Sequence, residues 1–220
     1  MSFPNTRRLD AGTRMGEVLF GLIMTLTFTL GAKLVIEEEG REGVKAMLVA
    51  ILGCNLAWGI IDGVLYVLGR MFERGRIRRA GVQVRQAPSE ADALQVVSAE
   101  MDEMLVPVTD ERQRQELYRS IVQRLKSAPA LPNRLQSDDL VGGLASGLLV
   151  FACSFPAIVP FIFLDDLWVA SRVSNAILIA LLFLVGYRHA RSTLARPWLV
   201  GTAFMLAGVF LVAIAIPLGG

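Results

Sequence analysis

Residues 44–69 read VKAMLVAILGCNLAWGIIDGVLYVLG, and apart from Lys45 near the start and Asp62 in the second half they carry no charged side chain. A hydrocarbon core about 30 Å thick needs about 20 apolar residues of helix, because every backbone polar group must be satisfied inside the segment. This run is long enough to cross with some tilt. Working outward, a comparable run precedes it, from about Met15 to Ile36. Three follow it, from about Leu140 to Leu164, Leu167 to Tyr187 and Trp198 to Leu218. The sequence predicts an all-α membrane protein with five transmembrane helices and a cytoplasmic helical hairpin inserted between helices 2 and 3.

The composition agrees with that class. Hydrophobic residues make up 54% of the 220-residue chain and charged residues 19%, a balance outside the ordinary soluble range. A net charge of +2 is too small to imply nucleic acid as a partner, and no stretch interleaves bases with aromatics. Cys54 and Cys153 lie inside apolar runs with no second Cys or His at metal-ligand spacing, so they read as small buried hydrophobes. Bases precede the first apolar run as in a signal peptide, but that run continues to about Ile36 without a small-residue cleavage site. It reads as a retained span.

Charge asymmetry orients the spans. Arg7, Arg8 and Arg14 flank the first; Arg70, Arg74, Arg76, Arg78 and Arg79 follow the second; Arg188, Arg191 and Arg196 follow the fourth. With five spans all three groups fall on one side, while the opposite connections hold Glu37, Glu38, Glu39, Glu42, Asp165 and Asp166. The positive-inside rule then places the N-terminus in the cytoplasm and the C-terminus outside. The organisation expected is a cytoplasmic segment at 1–14, helices 1 and 2 within 15–70, the insert at 71–139 and helices 3 to 5 within 140–220. A short chain without a targeting segment points to a prokaryotic inner membrane.

Within the insert, Ser89 followed by Asp92 reads as a variant capping box. Leu94, Val97, Met101, Met104 and Leu105 then recur at helical spacing up to Pro107. A second helix is expected from about Thr109 and Asp110, with Leu117, Ile121 and Leu125 on one stripe, ending at Pro129 and Pro132. Each helix has an apolar face that must be buried in its own fold, on a second copy or on the membrane surface.

No phosphate-binding glycine loop, GxSxG elbow or HExxH occurs, and the single histidine, His189, lies in a basic connection, so the chain does not read as an enzyme. Polar groups inside the spans are more informative, since a charge at mid-bilayer costs at least about 2.5 kcal/mol unless it faces protein or water. Asp62 and Asn55 are seven residues apart, which after nearly two turns turns both to similar sides of the second helix. Gly59 and Gly63, four apart, permit close helix approach. Two readings stand for this group: a cation or proton site between helices, or interhelical hydrogen bonding. Glu17, near the start of the first span, is either a ligand or gate, or a carboxylate favoured by the helix dipole. Thr25, Thr27 and Thr29 either line a polar path or bond back to their own helix. Pro156 and Pro160 either free carbonyls for an ion or kink the third helix. Arg172 and Asn175 enter the fourth span from the outer side, where Arg172 can snorkel or pair with Asp165 or Asp166. In the insert, Glu100 and Glu103 lie three apart with Met101 and Met104 beside them. Oxygen and thioether donors of this kind suit divalent cations, but two carboxylates need further ligands to complete a sphere.

RMGEVLFG (14–21), NLAWGIIDG (55–63), SFPAIVPF (154–161) and GYRHARSTLARPWLVG (186–201), set in five spans with a helical insert after the second, resemble the vacuolar iron transporter family. The resemblance covers most of the membrane part and little of the insert. It implies a homodimer in the lipid bilayer that moves Fe²⁺ or Mn²⁺ out of the cytosol in exchange for protons. It also implies a place in the transport path for Asp62, whose Asp-Gly pair matches the family pattern, and metal collection by Glu100 and Glu103. No permanently bound cofactor is implied; the divalent metal is the substrate. The chain departs from the family in reading Ile23, Met24, Thr25 where an Asn-Asp-Gly is expected, and Leu65, Tyr66, Gly69, Arg70 after Asp62. The function expected is a divergent divalent-cation transporter with Asp62, Asn55 and Glu17 along the path. The alternative is a non-transporting membrane protein whose hairpin scaffolds or recruits a partner.

Overall fold

The computed structural model describes residues 11–129, 134–191 and 194–215. Arg7, Arg8, Pro132 and Leu218, and with them most of the N-terminal segment, lie outside the described residues. All regular structure among the described residues is helical: α1 Ala11–Gln86, α2 Glu90–Leu105, α3 Glu111–Ser127, α4 Ser137–Ala152, α5 Phe155–Phe163, α6 Leu167–Ala190 and α7 Pro197–Ala215. Four stretches are long and apolar enough to cross a membrane: Gly12–Ala32, Ile36–Gln86, Ser137–Phe163 and Leu167–Ala190. The chain is thus built as a multi-pass membrane protein. The apolar helix α7 is shorter.

Helix α1 consists of two arms, 11–39 and 41–86, meeting at Gly40, whose φ of 59° and ψ of −133° leave the helical region. Only a residue without Cβ adopts that conformation freely. The arms run antiparallel, since Thr25 meets Asn55 while Phe20 meets Trp58, one number rising as the other falls. The acidic end is tied together by Arg41, which donates to the Asp165 carbonyl. Asp166 accepts from the Trp168 and Val169 amides as the N-cap of α6.

The chain divides into two compact units, Met1–Val67 with Ser137–Gly220, and Leu68–Gln136. In the first, one apolar cluster joins Leu22, Leu26, Cys153, Ala157, Leu178 and Leu182, and another joins Ala32, Val44, Met47, Ile51, Phe161 and Ala170. The third apolar run is two helices. Pro156 has no N–H and sits in the first turn of α5, and the chain turns at Cys153 and Ser154 through bonds to the Val150 and Phe151 carbonyls. That turn receives Gly21, where a Cβ would stand 2.7 Å from the Val150 oxygen and 2.8 Å from the Cys153 Cβ. Helices α6 and α7 pack through Gly186 against Phe204 and Gly201 against Phe183.

In the second unit, the α1 helix does not stop at Gly69 where its apolar run ends but continues to Gln86, so its last turns join α2 and α3. Val84, Ala93, Val97, Tyr118 and Val122 form the core. The buried face of α3 is centred on Tyr118 and Val122, with Ile121 and Leu125 packed against it and Leu117 exposed. It is therefore rotated from the stripe read in the sequence, because Tyr118 can bury its ring while its hydroxyl donates to Asp102 at 2.5 Å. Ser89 caps α2, and Asp110 with Gln113 forms a capping box on α3. Arg85 donates to the Leu125 carbonyl, satisfying one of the free acceptors at the α3 terminus.

Candidate functional site

Helices α1 and α4 cross at glycines. A Cβ on Gly63 would stand 2.7 Å from the Gly143 oxygen, and one on Gly143 2.6 Å from the Gly63 oxygen; Gly59 and Gly147 oppose each other in the same way. Two stripes of small residues at four-residue spacing therefore bring the backbones into contact. The Tyr66 ring lies over Gly142, one turn beyond Asp62. The crossing carries a side chain that sequence reasoning passed over, Ser146, whose hydroxyl donates to Glu17 Oε1.

Glu17 in turn is near enough to Asp62 for the two carboxyl groups to interact. Residues far apart in the chain thus converge: Glu17 from the first arm of α1, Asp62 from the second and Ser146 from α4. Asp62 Oδ2 is buried and has no hydrogen-bond partner among the described residues. A buried carboxylate oxygen without a partner is costly, and two carboxylates in contact repel when both are charged. A proton shared by the pair removes that cost, and so does a cation held between them. Both are oxygen donors of the kind that hard and borderline divalent cations take. Two carboxylates and one hydroxyl do not fill an octahedral sphere, so water would supply the rest.

Asn55 lies elsewhere. It is buried two turns away from Asp62, and its Nδ2 donates to Thr25 Oγ1 at 2.8 Å, while the same hydroxyl donates to the Gly21 carbonyl at 2.8 Å. Thr27 and Thr29 likewise donate to carbonyls of their own helix. Ser171 and Asn175 of α6 reach the Thr29 carbonyl at 3.5 Å, and Asn175 Oδ1 is buried without a partner among the described residues. Arg172 is exposed. Cys153 donates its thiol to the Leu149 carbonyl and also reaches the Val18 carbonyl of α1 at 3.5 Å, while Ser154 donates its hydroxyl to the Phe151 carbonyl of its own turn. His189 faces the Phe204 ring at 6.1 Å.

In the second unit Glu100 pairs with Arg76 at 3.5 Å, Glu103 is exposed, Met101 packs against the core and Met104 is exposed. Among the described residues no group of three or more His, Cys, Asp or Glu is placed to hold a metal ion.

The signal for Ser146 was present in GGLASG at 142–147, a small-residue stripe with the spacing of Gly59 and Gly63. Pairing the two stripes would have brought Ser146 into the neighbourhood of Asp62. Comparison with protein-family models, with curated proteins and with solved structures gives no match.

Proposed function

We propose that this chain is a divergent relative of the vacuolar iron transporters, a homodimer that moves a divalent cation, Fe²⁺ or Mn²⁺, out of the cytosol in exchange for protons. The observation that supports this reading is the carboxylate pair Glu17 and Asp62 inside the apolar helices, with one Asp62 oxygen buried and unpartnered. Alternate occupancy of such a pair by a cation and by a proton is the simplest chemistry that couples the two. In this reading α7 is the fifth span, covering the run from Trp198 to Leu218. The N-terminus is cytoplasmic, and α2 with α3 forms a cytoplasmic hairpin. Asn55 serves the path indirectly, by holding the two arms of α1 in register through Thr25.

The test is uptake of Fe²⁺, Mn²⁺, Co²⁺ and Zn²⁺ into liposomes containing the purified protein, with and without a proton gradient. Gradient-dependent uptake should fall to background in Asp62→Asn while size and helicity are unchanged. If no ion moves in a preparation shown to be folded, the transport reading is wrong.

The second reading, a membrane protein whose insert recruits a partner, is favoured by a different observation. The α2–α3 connection exposes Met104, Val106 and Val108, while Glu100 is already engaged by Arg76. Replacing Glu100 and Glu103 by Gln should leave metal binding intact under this reading and reduce it if the insert collects metal.

A further inference from the structure

The α1 helix leaves its apolar run at Gly69 and enters a stretch, 70–85, with six arginines against the one carboxylate of Glu73. Three of these arginines are committed within the unit: Arg74 donates to the Arg134 carbonyl, Arg85 to the Leu125 carbonyl, and Arg76 pairs with Glu73 and Glu100. Arg76 is nonetheless half exposed and keeps donors to spare. Arg79, one turn further, has no partner among the described residues and is exposed. These two guanidinium groups line a groove of about 420 Å³ whose other walls are Met71, Phe72 and Gly75.

The two ends of this groove differ in chemistry. Phe72, 75% exposed, sits within one turn of the end of the apolar run; Arg76 and Arg79 lie one and two turns beyond it on the same side of the helix. A bare aromatic ring in water is unfavourable, and at the boundary between acyl chains and headgroups it is at home. Cations just past it meet the phosphate layer, where clusters of Lys and Arg following a span attract anionic lipids. A second copy of the chain fits the groove less well, because a two-fold contact would set the Arg78 and Arg79 patch against itself.

We propose that this groove binds one anionic phospholipid, its phosphate on Arg76 and Arg79 and the start of an acyl chain over Met71 and Phe72. The site rests on the membrane reading of the apolar helices and is independent of transport. It assigns the basic turn after the second arm of α1 a specific ligand in addition to its part in setting orientation.

The experiment is native mass spectrometry of the full-length protein in neutral detergent, titrated with phosphatidylglycerol and with phosphatidylcholine of the same acyl chains. Phosphatidylglycerol should bind about tenfold more tightly or better, and Arg76→Gln with Arg79→Gln should remove that preference. Phe72→Ala should weaken binding of both lipids. A control pair on the exposed side of α3, Arg112→Gln with Arg119→Gln, should leave the preference unchanged. A preference that survives in the groove variant, or that disappears equally in the control, overturns the proposal in favour of diffuse surface charge. Competition by glycerophosphoglycerol as strong as by the lipid overturns it in favour of a soluble phosphate ligand. A groove variant that retains lipid but falls from dimer to monomer shows that a second copy covers the groove.

Discussion

Two polar residues of the second arm of α1, Asn55 and Asp62, do different things although they lie close to one face. Asn55 is satisfied by Thr25 across the two arms of α1, whereas Asp62 has an oxygen left over and a second carboxylate beside it. A double-mutant cycle on Asn55→Val and Thr25→Val should return a coupling of about 0.6–1.7 kcal/mol, measured as stability in detergent. Coupling near zero would mean that the bond contributes nothing to assembly. The contrast explains how far the site was legible at this scale. The apolar surroundings of Asp62 marked it as unusual, and its seven-residue offset from Asn55 was visible. Which of the two would find a partner depended on the facing residues of the first arm, eight positions apart at 17 and 25, and these become neighbours only when the chain reverses at Gly40.

At the scale of elements, the crossing of α1 and α4 depends on the absence of side chains at four glycines. Gly147→Ala would drive a Cβ into the Gly59 backbone, a neighbour that cannot rotate aside, and should cost about 1–3 kcal/mol by overpacking. Gly53→Ala, on the same arm with nothing within 4 Å, should be neutral or slightly stabilising. Thermal unfolding of both variants in detergent checks the pair, and equal effects would mean that the crossing does not require bare glycine at 147. In the second unit, the first turn of α3 carries a pH dependence. Glu111 is held below the ordinary carboxylate range by the hydrogen bond from Gln115 first, then by Arg114, whose guanidinium lies 2.5 Å away. The unfolded chain has the higher, ordinary value, so this contribution is complete above that value and is lost as the pH falls through the lower folded one. Glu111→Gln should therefore flatten the acid limb of stability from the ordinary carboxylate range downward, read from the melting of α3. Helix starts of this kind were legible because caps are local: Ser89 and Asp110 announce α2 and α3. The rotation of the α3 face toward Tyr118 was not, because it is decided by Asp102, sixteen residues away on another helix.

For the whole molecule, the reading of five spans requires the termini to lie on opposite sides of the membrane. A reporter active only in the cytoplasm should work when fused at the N-terminus and fail at the C-terminus, and a periplasmic reporter should do the reverse; activity of one reporter at both ends would mean an even number of spans. The helical membrane class followed from the sequence alone, because burying apolar segments in a bilayer forces each into a helix long enough to cross, and length and composition report that directly. The acidic and basic connections were equally plain, since charges cannot hide in hydrocarbon. Tertiary structure decided which polar groups meet. Only folding showed that the second arm of α1 continues past its apolar run to cap α3, and that Gly143 and Gly147 receive Gly63 and Gly59. Only folding brought Ser146, Glu17 and Asp62 into one cluster. The physical reason is that hydrophobicity is a property each residue carries by itself, whereas a carboxylate pair or a glycine crossing is a relation between segments that the linear order keeps apart.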